Sequence, residues 1–593
     1  MFMMKSENEV CQTTIPRPTV EVHLPDGRIL CGPRNRPIGT FLKILPEWNL
    51  HDPIMGAVVN GELRELTHPV ELDSRVRMVR MSDPDGSGIY RRSITFLLEA
   101  AFEDTFPTAD ISIDHSLSSG GFYCSVINRG PLSKDELVAV EARMKELAKA
   151  DLPFERQVVP LQDAINYFQS KGQDEKVQLL KFRRKDTLVL YKLRDRCDCH
   201  HGYMVPSTGY LHWFALTRMG DGFALRFPRR HAPNELPPLA DSKKLLATFR
   251  EYNDWLVRLG IESVGALNTA IQARRVSELI LISEALHEHR IAEIASLVME
   301  RSKEARIVLV AGPSSSGKTT FSKRLTVQLL AQGISPFPLE LDNYFLDREH
   351  TPKDENGAYE FEALGALDTG RLQADLQQLI AGEEIQLPKF NFPLGRSELG
   401  EVVKLEKGQL VILEGIHGLN PRLLAGLSHR QTTRIYVSCL TQLNLDRHNR
   451  ISTTDTRLLR RIIRDARDRG YTAQQTIGQW ESVERGEKKH IFPYQENADV
   501  MFNSALVYEL SAIRMMAEPL LRQVVFGTPE YIEAKRLLSF LQWFLPIGED
   551  LIPDNSLLRE FIGGSILQGF TLWQNAKHKG EYGSTAVLSE LNC

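Results

Sequence analysis

Gly312-Pro313-Ser314-Ser315-Ser316-Gly317-Lys318-Thr319 decides the reading of this chain, because it is a complete G-x-x-x-x-G-K-[ST] phosphate loop. The residues on either side supply the context it needs. Ile307-Val308-Leu309-Val310-Ala311 is a short apolar, β-branched run that predicts a buried parallel strand, and residues 321–331 repeat apolar side chains at helical spacing. Between strand and helix, the glycines let backbone N–H groups curl around phosphate oxygens, where the helix dipole favours an anion. Lys318 is expected to reach the β- and γ-phosphates, and the Thr319 hydroxyl to sit on Mg2+.

Two carboxylates follow at matching places. Residues 337–341 are strand-like and run into Asp342-Asn343-Tyr344, and Leu410-Val411-Ile412-Leu413 runs into Glu414-Gly415. Both acids then sit at the carboxyl ends of strands, where open α/β sheets bind ligands. One can hold Mg2+ and the other can accept a hydroxyl proton. Taken singly, either acid reads equally well as a helix cap or a turn carboxylate. Arg457, Arg460, Arg461, Arg464, Arg467 and Arg469 crowd a later helical stretch, with only Asp465 and Asp468 to offset them. Arg457, Arg461 and Arg464 share one helix face. A guanidinium fork clamps phosphate oxygens, so the stretch is expected to be a lid over the transferring phosphate, although charge runs are commonly solvated faces.

Composition limits what else is present. The chain has 593 residues, 42% of them apolar and 25% charged. A length of this order suggests roughly 3 to 5 domains. The formal net charge of −4 gives no global pull toward nucleic acid, so only local patches such as Arg34-Asn35-Arg36 and Arg229-Arg230-His231 are candidates. No stretch has the length of a signal or membrane segment, and the seven cysteines form no secreted framework. A cytoplasmic location without membrane contact is expected.

The phosphate loop, Leu341-Asp342-Asn343-Tyr344-Phe345, Phe361-Glu362 to Asp368, Leu413-Glu414-Gly415-Ile416 and the run from Arg457 to Asp465 resemble, in order and spacing, the uridine kinase/phosphoribulokinase family. The resemblance implies ATP bound by Gly312, Ser314, Ser315, Ser316, Gly317, Lys318, Thr319 and Thr320 with help from Arg469. It implies Asp342 as general base, with Lys318, Arg461 and Arg464 also catalytic. Thr319 and Glu414, with Asp342, are implied to manage Mg2+, and Glu362 to hold ribose hydroxyls. Tyr344, Phe390, Phe392 and Arg461 complete the implied substrate site. In Pro388-Lys389-Phe390-Asn391-Phe392-Pro393-Leu394-Gly395-Arg396 the aromatic pair is kept, but Gly395 stands where the uridine-cytidine kinases place a base-sensing histidine. The substrate is thereby expected to be a nucleoside or another ribose-bearing alcohol rather than uridine alone.

The front of the chain resembles a second family. Val59-Asn60-Gly61-Glu62-Leu63, in an alternating segment with hairpin signals, is similar to the TGS module, a small β-grasp fold of threonyl-tRNA synthetases. Gly120-Gly121-Phe122-Tyr123, the helical pattern over 134–150 and Cys197 to His201 resemble the second, editing domain of those enzymes. Asp83-Pro84-Asp85-Gly86-Ser87-Gly88 reads as a turn-rich linker between the two. The resemblance implies a zinc site, but Arg92 and Phe96 replace its two histidines, leaving only Cys197-x-x-x-His201 with Cys199 and His200 nearby. Zinc is therefore not expected.

The expected fold is multidomain α/β and α+β: a P-loop parallel-sheet kinase domain preceded by a β-grasp module and an α+β editing-like domain. The boundaries are a TGS module over 17–82, an editing-like domain over 88–235, a helical linker over 236–304, the kinase domain over 305–510, a helical extension over 511–568 and a loose tail over 569–593. An ATP- and Mg2+-dependent nucleoside kinase is the leading reading. The alternatives are an RNA- or tRNA-associated regulator that uses ATP as a switch and a phosphoribulokinase-like sugar-phosphate kinase. RNA or tRNA contact through the front half and a homo-oligomer stay open.

Overall fold

The computed structural model describes residues 17–49, 51–240, 242–353, 357, 359–391, 394–425, 429–441 and 443–570. Phe392 and most of the tail expected to be loose lie outside the described residues.

The first unit is a five-stranded sheet in the order Ile29–Pro33, Thr19–His23, Ser74–Arg80, Ile54–Val59, Glu62–Glu65. Its hairpin at Asn60-Gly61 forms because both residues take positive φ, 51° and 83°, as the tightest hairpin turns require. Val20, Val22, Ile54, Ala57 and Val76 alternate inward to make its core.

The expected linker at 83–88 is instead the start of a long helix, α1 (Pro84–Thr105). Pro84 has the φ of a first helical residue, and Gly86 is small because a Cβ there would meet the Arg80 carbonyl oxygen at 1.8 Å. Residues that favour turns in isolation are overridden by burial of Ile89, Tyr90, Ile94, Phe96, Leu97 and Leu98. Helix α1 packs with α2 (Lys134–Lys149), which Ser133 and Glu136 close with a reciprocal capping box. A four-stranded antiparallel sheet, in the order Ala215–Met219, Gly222–Arg226, Phe122–Ile127, Asp110–Ser116, shares this core. A second sheet of Glu155–Pro160, Thr187–Leu193 and Arg196–Asp198 lies beside α3 (Asp174–Leu180).

The remainder is built on a parallel sheet of β1 (Ile307–Ala311), β2 (Pro336–Glu340), β3 (Leu410–Glu414), β4 (Thr432–Ser438) and β5 (Val500–Asn503), in the order β2-β3-β1-β4-β5. All five residues of β1 are buried, as a central strand covered on both faces must be. The chain reverses its winding on either side of β1, so the crevice at its carboxyl end is the natural ligand site. This is a mixed α/β multidomain protein whose parallel sheet carries the phosphate-loop motif after its central strand.

The segment expected to link the halves forms α4 (Lys243–Leu259), α5 (Val264–Gln272) and α6 (Val276–Arg301). Helix α6 packs along α7 (Lys318–Ala331), the helix after the phosphate loop, and Arg324 of α7 pairs with Glu288 at 2.7 Å. On the other side follow α8 (Thr453–Asp468), α9 (Ala473–His490), α10 (Glu509–Leu521), α11 (Pro529–Leu541) and the single turn α12 (Arg559–Ile562). One apolar cluster runs from Phe168 and Leu188 through α5 and α6 and the sheet to Leu557 and Phe561. The front half and the parallel-sheet half thus share a core.

Candidate active site

The phosphate loop leaves β1 and enters α7 through a left-handed Gly317, whose φ is +87°. A Cβ at Gly312 would meet the Val437 carbonyl oxygen at 1.9 Å, so the loop can lie against β4 only with glycine there. The Thr319 Oγ1 donates to Glu414 Oε2 at 3.0 Å, and Lys318 Nζ lies 3.9 Å from Glu414 Oε1. Lysine, hydroxyl and carboxylate therefore meet at the carboxyl ends of β1 and β3. The Ser315 and Ser316 hydroxyls are buried with no hydrogen-bond partner, which fits a loop shaped for anionic oxygens.

Asp342 follows β2 and faces the same cleft. Desolvation raises its pKa while Lys318, Arg469 and Arg464 pull it down. Burial pushes Glu414 up to about 7, with Lys318 opposing and Asp342 and Glu340 reinforcing the shift. A set of one lysine, one hydroxyl and two carboxylates in this condition fits a divalent cation, because a cation would restore both acids to their charged form.

The arginine stretch divides by face. Arg457 and Arg460 are fully buried: Arg457 Nε donates to the Ser314 carbonyl at 2.8 Å, and Arg460 NH2 bonds Glu509 at 2.7 Å with its guanidinium over the Phe561 ring. Arg461, Arg464 and Arg469 gather on the buried Asp465, at 3.2, 2.9 and 3.3 Å. Arg461 also donates to Ser314 Oγ at 2.9 Å. The expected lid is thus a seated helix in this structure, because Leu458, Leu459, Ile462 and Ile463 bury its other face.

One substrate expectation needs correction. Tyr344 is buried and its hydroxyl donates to Asp375 at 2.9 Å, so it is a core residue of the β2 edge and does not face the cleft. The missing histidine has a backbone cause. Gly395 closes the turn between Glu384–Asn391 and Arg396–Lys404 with φ +66°, and a Cβ there would meet the Arg348 guanidinium at 2.9 Å. Phe390 lies 5.6 Å from Phe345, and Glu362 sits against Gly486 of α9 with its pKa raised by burial and lowered by Arg461. Beyond Glu362 a cavity of about 330 Å3 is lined by Leu364, Thr369, Asn420, Arg422 and His490.

Two carboxylates that the sequence reading missed act on the loop itself. Glu487 Oε1 accepts from the Ser314 N–H at 2.9 Å and pairs with Arg457. Glu560 Oε2 accepts from the Thr320 N–H at 2.9 Å, and Leu557 lies so close that a Cβ on Gly317 would meet it at 2.4 Å. No motif marked either acid; both come from distant helices.

In the front half, the positions expected around a zinc site do come together. They are filled by other contacts: Phe96 lies 5.1 Å from the His200 ring, and Arg92 Nε donates to the Tyr203 carbonyl at 3.0 Å. Burial pushes the Cys199 thiol up to about 12, which opposes the thiolate that zinc needs. Glu99, Asp198 and His200 lie close enough to share an ion, but Asp198 already meets Lys176 and, at 2.9 Å, His448 of the parallel-sheet half. Arg229 and Arg230 are also spent internally, on the Ser119 and Ser82 carbonyls.

Comparison with known proteins divides the chain in the same way. Residues 307–511 match the model of the Phosphoribulokinase / Uridine kinase family. The N-terminal half matches threonine–tRNA ligases: that of Halorhodospira halophila is 36% identical over 173 residues, covering 29% of this chain and 27% of that protein. The ligase of Methylococcus capsulatus is 34% identical over 166 residues, covering 28% and 26%. The chain thus spans about a quarter of the length of these relatives. Among solved structures, one described as a possible uridine kinase from Bacillus stearothermophilus aligns at 18% identity and TM-score 0.26, covering 36% of this chain and 98% of that one. Phosphoribulokinase from Rhodobacter spheroides aligns at 17% and 0.25, covering 34% and 70%. No described helix is long and apolar enough to cross a membrane.

Proposed function

We propose that the protein is an ATP-dependent phosphotransferase that moves the γ-phosphoryl group to the 5′-hydroxyl of a ribonucleoside. The observation that carries this reading is the meeting of Lys318, Thr319 and Glu414 at one strand edge with Asp342 across the cleft. Lys318 and the loop amides hold the ATP phosphates, and Arg461, Arg464 and Arg469 supply positive charge where the phosphoryl group passes. Asp342 accepts the proton of the attacking hydroxyl as the new O–P bond forms and the bond to the ADP oxygen breaks. Thr319 and Glu414, with Asp342, would hold Mg2+, which neutralises phosphate charge when bound. In this reading Glu362 holds vicinal hydroxyls and Phe390 stacks on the base, and the half-buried Glu362 carboxylate near Arg461 supports the first assignment.

The test is transfer from radiolabelled ATP to a panel of nucleosides, nucleotides and ribulose 5-phosphate, with Lys318→Ala as the blank. Phosphorylated ribonucleoside that disappears in the variant supports the reading. Transfer to ribulose 5-phosphate alone would replace it with a sugar-phosphate kinase.

A second reading, an RNA- or tRNA-associated regulator that uses ATP as a switch, draws support from the carboxylates of Glu487 and Glu560 on the loop amides and from the ligase-like front half. Filter binding of tRNA at two salt concentrations tests it, since phosphate contacts give a steep salt dependence.

A further inference from the structure

A second cleft lies beside the C-terminal helices, at the ends of α10 and α11. Arg183, Arg184, Lys185, Arg514, Arg522 and Trp543 line a volume of about 210 Å3. Its charge is lopsided: with Arg514 paired to the single carboxylate Glu518, four further cations line it in a chain whose formal net charge is −4.

That carboxylate is largely used up. Glu518 accepts from Arg514 Nε at 2.7 Å, and Arg522 reaches it only at 3.8 Å. Arg183 donates its Nε to the Thr187 carbonyl at 2.9 Å and lays its guanidinium over the Trp543 ring, 5.1 Å from the centroid. Burial lowers its pKa. Arg184 and Lys185 are exposed and form no ion pair with any described residue. A solvated basic turn would account for Arg184 and Lys185 alone. It does not account for the Arg183 stack on a nearly buried tryptophan, while Arg514 is held by Glu518 and the Phe544 carbonyl and forms the inner wall. A low-dielectric wall behind several cations makes each bond to an anion stronger than it would be in open water.

Guanidinium forks match phosphate oxygens two at a time, and several cations around one small cleft suit closely spaced phosphates better than a lone carboxylate. The volume is below that of a pocket enclosing a whole drug-sized ligand, so it fits the phosphate end of a molecule. A nucleic-acid strand would need a groove with successive stacking platforms, and here there is one aromatic, already covered by Arg183. The geometry points to a second anion site, formed by the 183–185 turn and the ends of α10 and α11, that takes a diphosphate or triphosphate group.

Full-length Lys318→Ala protein, in which the phosphate loop is disabled, is titrated calorimetrically with inorganic pyrophosphate, ADP and adenosine at physiological salt. One saturable pyrophosphate site is expected, weakened at least tenfold by Arg184→Glu/Lys185→Glu and again by Arg522→Glu, with unchanged thermal melts. In the otherwise wild-type chain, the same double variant should remove one of two sites. ADP binding tighter than pyrophosphate identifies a nucleotide as the source, and equal binding identifies free phosphates; either result supports the site. Binding that never saturates marks an adventitious ion only and overturns the proposal, as does a site that survives both charge reversals. An RNA hairpin that displaces pyrophosphate from the same residues and binds more tightly would overturn the assignment to a small anion.

Discussion

The Glu560 carboxylate accepts a hydrogen bond from the Thr320 backbone N–H at 2.9 Å, joining the C-terminal turn α12 to the first turn of α7 across 240 residues of sequence. In the proposed reading that N–H belongs to the set a nucleotide phosphate would use, so the chain carries its own anion at that place. Arg467 fixes the same turn by donating to the Glu560 carbonyl at 3.0 Å.

Glu560→Ala frees the amide. A hydrogen bond from a neutral donor to a charged acceptor contributes about 1.5–3 kcal/mol, of which part is recovered by water, so affinity for a fluorescent ATP analogue should rise roughly 5- to 30-fold. Equilibrium titration of variant and wild type measures it. Unchanged or weaker binding would show that Glu560 only braces the fold.

In the proposed mechanism, Asp342→Asn preserves shape but removes the proton acceptor. Turnover should fall by about 10² to 10⁴ with ATP affinity largely kept. Steady-state kinetics beside Glu414→Gln assigns the roles: if Glu414→Gln is the more damaging to kcat with Mg2+ affinity intact, the two acids exchange places.

In the proposed reading Glu414 couples Mg2+ to pH. Its folded value of about 7 lies above the ordinary 4.5, so the protonated side chain is the form the empty fold favours. That contribution to stability is fully present below about pH 4.5 and is lost as pH rises through 7. Mg2+ needs the anion, so Mg·ATP should bind more tightly at pH 8 than at pH 6 and release a proton at pH 6.5. Calorimetry in two buffers of different ionisation enthalpy counts that proton, and Glu414→Gln should abolish it.

Glu362 predicts the ribose preference. Stacking against Phe390 tolerates any base, whereas a carboxylate on vicinal hydroxyls does not tolerate loss of one. Removing the 2′-hydroxyl should therefore cost more in kcat/KM than exchanging one ribonucleoside for another, and Glu362→Ala should erase that difference. Strict use of uridine and cytidine by the wild type would count against this placement.

His448 locks the two halves. Its Nδ1 meets Asp198 at 2.9 Å and its Nε2 meets Asp110 at 3.3 Å, and despite burial the carboxylates Glu99, Asp110 and Asp198 push it up to about 9. A raised histidine stabilises fully below about pH 6.5 and ceases to as pH passes 9. Thermal melts should fall between pH 7 and 9.5 in the wild type, and His448→Gln should flatten that decline at a lower starting Tm.

Strand β1, the loop, Asp342 and Glu414 were legible because each is encoded within a few neighbouring residues: an apolar run, fixed glycines, an acid at the run's end. The hairpin at Asn60-Gly61 was legible for the same reason. Tertiary packing decided what local pattern could not. It turned the glycine-rich stretch after Asp83 into the first turn of a helix, drew Tyr344 into the core and seated the arginine helix on its apolar face. It also set Glu487, Glu560 and His448 against partners 173, 240 and 250 residues away. Chemistry written in short motifs survives without knowledge of the fold. Which amide is already occupied and which carboxylate keeps its proton depend on burial and long-range pairing, which exist only once the chain has closed on itself.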